Sequence, residues 1–67
     1  MEELQAALMI AMASCPEVGY RFSENFESIV LRFARIDGLQ LFLQGIRTLS
    51  RVRAVVNNLE VIVTYVE

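Results

Sequence analysis

The feature that most constrains this chain is a change of side across Asn57-Asn58. Val52, Ala54 and Val56 are apolar at even positions; beyond the two asparagines the apolar positions are odd, at Leu59, Val61, Val63 and Tyr65. Successive side chains of an extended chain point to opposite faces, so one straight strand cannot keep a single face dry through that switch. A hairpin with a two-residue loop at Asn57-Asn58 can. It pairs Val56 with Leu59, Ala54 with Val61 and Val52 with Val63 on one face. Val55 with Glu60, Arg53 with Ile62 and Arg51 with Thr64 then share the other. Both asparagines tolerate the left-handed conformation of a type I′ turn. One long strand with a bulge at the asparagines is the alternative.

A second fixed point is the stretch 26–37, FESIVLRFARID. Ile29, Leu31 and Phe33 fall on one side of an extended chain, and Ser28, Arg32 and Ala34 on the other. β-Branched and aromatic content without Gly or Pro predicts a strand over 26–36, half buried. A short strand over 19–22 precedes it, and the polar link Ser23-Glu24-Asn25 favours a turn between the two.

Helical spacing accounts for the remainder. Over 2–15, two glutamates occupy the first turn, where they suit the helix dipole; Leu4, Leu8, Ala11, Met12 and Cys15 form a stripe, and Pro16 and Gly19 end the element. Over 38–51, Leu39, Phe42, Leu43, Ile46 and Leu49 recur on one face, with Asp37 placed to cap the start. Gly45 costs about 1 kcal/mol relative to alanine inside a helix, and close packing of that turn on the sheet would account for it.

The order is αββαββ over 1–67. It predicts one α+β domain, with two helices on one face of a four-stranded antiparallel sheet. This is the ferredoxin-like two-layer sandwich, βαββαβ, with its first strand moved to the end. That permuted order puts 59–66 in the middle of the sheet, between 26–36 and 51–56. The second sheet face then carries Val30, Arg32, Ala34, Val55, Ile62 and Val66, a candidate contact surface.

Composition sharpens the functional expectation. A chain of 67 residues buries only about 60% of its unfolded surface, yet 55% of these residues are hydrophobic. Self-association, as a homodimer or higher, is the expected outlet for the excess. The net charge is −2. Of the six basic residues, all Arg, three (Arg47, Arg51, Arg53) lie close in sequence and three (Arg21, Arg32, Arg35) are interspersed with Glu24, Glu27 and Asp37. That is no concentrated basic field, so nucleic acid is not an expected partner. There is no His, Cys15 has no second cysteine to pair with, and the carboxylates are dispersed. No enzymatic chemistry, cofactor or metal is expected from such a set. A chain without a disulfide framework fits a reducing compartment. The apolar run 6–13 is far short of the roughly 20 residues of a membrane span, and the start is acidic. A cytoplasmic location is the expectation.

The chain also resembles the ligand-binding and oligomerisation (RAM) module of leucine-responsive (Lrp/AsnC) regulators. The matching residues are Pro16-Glu17-Val18, Tyr20-Arg21, Ser23, Asn25-Phe26-Glu27, Ile36-Asp37 and, inside the second helix, Leu39, Phe42 and Leu43. Glu24 stands where that family has a glycine, Ser50-Arg51 where it has Pro-Gly, and the family's first strand is missing or permuted. The resemblance implies an effector-binding or oligomerisation module. It places a small ligand such as an amino acid between subunits near Ser23, Glu24, Asn25 and Phe26. At the level of fold, the order is also similar to assembly domains of type II secretion and type IV pilus machines. An engineered ferredoxin-like protein without biochemical activity is a third possibility.

Overall fold

In the computed structural model, which describes residues 2–66, the elements run α1 (Glu2–Ser14), β1 (Gly19–Phe22), β2 (Ser28–Arg32), α2 (Ile36–Ile46), β3 (Val52–Asn57) and β4 (Glu60–Tyr65). The four strands form one antiparallel sheet in the order β1-β2-β4-β3. The last strand therefore lies inside the sheet. Ile29, Leu31 and Phe33 on one side of the sheet join Val61 and Val63 in a single buried cluster. Leu4, Ala7, Ala11 and Cys15 of the first helical segment and Leu39, Phe42 and Ile46 of α2 complete it. Both helices thus cover the same sheet face.

The side change at the asparagines does fold back as a hairpin, but the loop is Asn58-Leu59. Asn57 pairs with Glu60, Val56 with Val61, Val55 with Ile62, Ala54 with Val63 and Val52 with Tyr65. Compared with the expected pairing, each β3 residue meets a residue two places further along β4, which keeps every side chain on its expected face. Leu59 explains the shift. Its carbonyl accepts the Phe33 N–H at 2.8 Å and its side chain packs on the core, so it serves better in the loop than in the ladder. Of the two loop residues only Asn58 has positive φ (58°), the φ pattern of a type II′ turn rather than the expected I′.

β2 is shorter than the expected 26–36. Ser23 Oγ accepts the N–H groups of Glu27 and Ser28, each at 3.1 Å, and Phe26 takes φ 57°, so the turn consumes residues expected in the strand. Helix α1 buries Ala7 where Met12 was expected; Met12 is exposed because α2 packs on the opposite flank of the stripe. Helix α2 ends at Ile46 rather than near 51. Thr48 and Leu49 donate to Gly45 and Ile46, three residues back, which tightens and closes the helix.

Gly45 packs on α1, not on the sheet. A Cβ there would lie 2.7 Å from Ile10 Cγ2, and one at Gly38 would lie 3.0 Å from Cys15 Cβ. These two contacts run in opposite directions along the helices, so α1 and α2 are antiparallel and touch through α2's glycines.

Asp37 was expected as the cap of α2, but Arg35 holds that position and makes no side-chain cap bond. Asp37 lies inside the first turn, where Oδ1 accepts the Gly38 N–H at 2.9 Å, and Arg35 reaches both carboxylate oxygens at 3.3 and 2.9 Å. The Arg35 hydrogen bond, then the Gly38 N–H, hold the Asp37 carboxyl below its ordinary value. A carboxyl depressed by folding stabilises the fold above its unfolded pKa, and that contribution disappears as pH falls through the folded value. Carboxyl NMR titration is expected to place Asp37 below the usual carboxylate value of about 3.9, and Arg35→Gln to move it up. An Asp37 titration indifferent to Arg35→Gln would remove this account.

Candidate association surface

The sheet face away from the helices is organised in rows set by the strand registers. Arg21 lies opposite Val30, Val30 opposite Ile62, and Ile62 opposite Val55, so three aliphatic side chains line up across β2, β4 and β3. On one side of that row run Gly19, Arg32, Glu60 and Asn57; on the other, Ser28, Thr64 and Arg53. The result is an apolar strip framed by polar groups. Ile62 keeps 37% of its surface exposed and Val55 54%. Arg32 reaches Glu60 at 3.6 Å across the neighbouring row, an exposed ion pair worth little to stability.

Of the six residues expected on this surface, the structure brings Val30, Val55 and Ile62 into one row, with Arg32 beside it. Ala34 lies past the end of β2 and Val66 past the end of β4, both exposed, and neither belongs to a strand. Val66 is nonetheless tied down, since its N–H donates to the Arg51 carbonyl at 2.8 Å. Arg21 was not singled out from the sequence, although it closes the β1 end of the row; Arg53, expected opposite Ile62, lies opposite Thr64 in the flanking row. Their placement depends on strand register, which sequence parity leaves open.

The polar turn holds the second set of expected residues. Ser23 spends its hydroxyl internally: it accepts from Glu27 and Ser28 and donates to Asn25 Oδ1 at 3.3 Å. Phe26 turns its ring toward Phe22, with centroids 5.5 Å apart. Beside the turn is an open depression of about 410 Å³ lined by Ser23, Asn25, Glu27, Ser28, Thr64 and Tyr65. Glu24 and Phe26 do not line it.

Comparison with protein-family models, curated proteins and solved structures finds no match for this chain.

Among the described residues no group of three or more His, Cys, Asp or Glu is placed to hold a metal ion, and no helix is long and apolar enough to cross a membrane. Cys15 is a buried free thiol at the α1 end, packed against Gly38. Tyr65 and Glu3 have roles that the sequence reading missed. The Leu4 N–H points at Tyr65 Oη at 3.5 Å, and Glu3 Oε1 accepts the Arg51 N–H at 3.0 Å. Together they fasten the start of α1 to the ends of β3 and β4.

Proposed function

We propose that this chain is a non-enzymatic association module that pairs with a second copy of itself through its open sheet side or an edge strand. The observation that carries the reading is the Val30–Ile62–Val55 row: three aliphatics in register across three adjacent strands, on the face that neither helix covers. A contiguous apolar strip rimmed by polar groups is the kind of surface that marks a contact site. The architecture is read as the ferredoxin-like sandwich in permuted order. Moving β4 ahead of α1 turns the element sequence into βαββαβ, and the interior position of β4 supports the assignment. Sedimentation equilibrium is the test. Dimer mass at micromolar concentration is expected, and a chain that stays monomeric into the millimolar range overturns the proposal.

The depression beside the polar turn supports a second reading, an effector site of the kind that the regulator resemblance implies. Free amino acids presented singly are then expected to raise the melting temperature, because a ligand selective for the native state stabilises it. Ser23→Ala, which also loosens the turn, is expected to abolish the shift; a flat response to every amino acid removes this reading.

A further inference from the structure

We propose that a second copy of this chain docks on the outer edge of β3, antiparallel and about a two-fold axis at Ala54, so that the two sheets continue as one. The inference rests on the association reading above and names the surface that does the joining. Three observations lead to it.

The first is an open ladder. β3 has β4 on one side and, among the described residues, no strand on the other. The Arg51 carbonyl accepts the Val66 N–H, so hydrogen bonding toward β4 falls on the odd residues of this strand. Alternation then turns the N–H and C=O groups of Val52, Ala54 and Val56 outward. Edge strands are normally blunted by Pro, Lys, a bulge or brevity. β3 has six residues in unbroken register, VRAVVN, without Pro, Lys or a bulge, and its one charged side chain, Arg53, lies on the open face of the sheet.

The second is apolar surface on both sides of the same edge. Val56 is 45% exposed on the helix side of the sheet, and Val55 is exposed on the opposite side. Pairing another strand against β3 shelters both.

The third is self-complementarity. Read outward from Ala54, the outward-bonding residues are Val52 and Val56, the same in both directions. A two-fold axis at Ala54 sets Ala54 against the partner's Ala54 and Val52 against the partner's Val56, all as hydrogen-bonded pairs. Arg53 then faces the partner's Val55 rather than a like charge. Sliding two residues one way puts Arg53 opposite the partner's Arg53. Sliding two the other way puts Val52 opposite the partner's Asn58, whose positive φ takes it out of the strand. Charge and backbone both select the Ala54 register. β1, the other edge, has four residues, GYRF, and no such symmetry.

The experiment is sedimentation equilibrium on the full chain and on Ala54→Pro. A proline there removes only an outward N–H and leaves the β4 ladder intact. Its dimer dissociation constant is expected to rise roughly tenfold or more, the scale of one or two net hydrogen bonds, with circular dichroism unchanged. Should Ala54→Pro fail to fold, Val56→Lys places a charge on the exposed edge with the same expected outcome. A second measurement fixes the register. Arg53→Cys and Val55→Cys chains, each carrying Cys15→Ala, are oxidised alone and mixed. A disulfide forms in the mixture, because a non-hydrogen-bonded pair brings Cα atoms to about 4.5 Å, within reach of the bridge. A parent chain that is monomeric throughout sinks association itself. A dimer that ignores the edge substitutions and yields no mixed disulfide overturns the β3 assignment alone and returns the contact to the open face.

Discussion

Replacing Phe42 with alanine is expected to leave the chain unfolded at room temperature. Phe42 is fully buried and its ring lies 5.2 Å from that of Phe33, tilted by 44°, where α2 meets the residue just past β2. Large-to-small changes of this kind cost about 3–5 kcal/mol, because lost transfer energy is joined by a cavity the surroundings only partly fill. A single core in a chain this short rarely supplies more than about 3–5 kcal/mol in total. The two quantities are equal in size, so the substitution consumes the whole margin. Loss of amide dispersion in the NMR spectrum and of a cooperative thermal transition is the expected readout. Leu41, next in sequence but exposed, provides the control: Leu41→Ala should change stability by no more than about 0.5 kcal/mol. A Phe42→Ala chain that still melts cooperatively within about 1 kcal/mol of the parent would show that the core is not organised around this ring.

The second large effect runs against helix propensity. Gly45→Ala removes a flexible residue from a helix interior and on that ground alone gains about 1 kcal/mol. In this fold the new methyl meets Ile10 Cγ2 at 2.7 Å. Ile10 is β-branched and held to one χ1 rotamer in a helix, so it cannot swing aside, and the helices must separate. Overpacking of this kind costs about 1–3 kcal/mol, and set against the propensity gain the net expectation is a loss of up to about 2 kcal/mol. For a domain of this size that lowers the melting temperature by about 4–8 °C per kcal/mol. The decisive arm is the double variant. In an Ile10→Ala background the obstruction is gone, and adding Gly45→Ala should be neutral or stabilising, a coupling of about 1–2 kcal/mol between the two sites. Gly45→Ala stabilising the unmodified chain would mean that the helices do not touch there.

These features differ in how visible they are in the sequence. The alternation of Val52, Ala54 and Val56 against Val61, Val63 and Tyr65 specifies which side of each strand is dry, and the hairpin follows from it. Register does not follow, because a slip of two residues keeps every side chain on its face; the fate of Leu59, a tertiary contact to Phe33, decides it. The same limit hid Arg21, whose place opposite Val30 exists only once the strands are aligned, and it moved Arg53 from its expected partner Ile62 to Thr64. Helix α2 was legible through Leu39, Phe42 and Ile46, whereas its start was not, since Asp37 bonds Gly38 and Arg35 equally well from inside the first turn. In α1 the stripe could be drawn through Met12 or Ala7, and only the position of α2 chooses between them. Residues of the polar turn were identifiable as a turn from Ser23 and Asn25; the depression beside it also needs Thr64 and Tyr65 from the far end of the chain.

The interior place of β4 has a consequence for synthesis. Ribosomes deliver the chain from its first residue, so α1, the β1–β2 hairpin, α2 and β3 all emerge before the strand that must sit between β2 and β3. Until then β2 has one unpaired flank, and Ile29 and Leu31 lack the Val63 and Val61 neighbours that complete their rows. Closure waits on the pairing of Ser28 with Thr64, a long-range contact formed late. During that interval the nascent chain exposes apolar surface and an unpaired strand flank, the condition that favours aggregation, and slowing translation within 19–57 should prolong that stage rather than help folding.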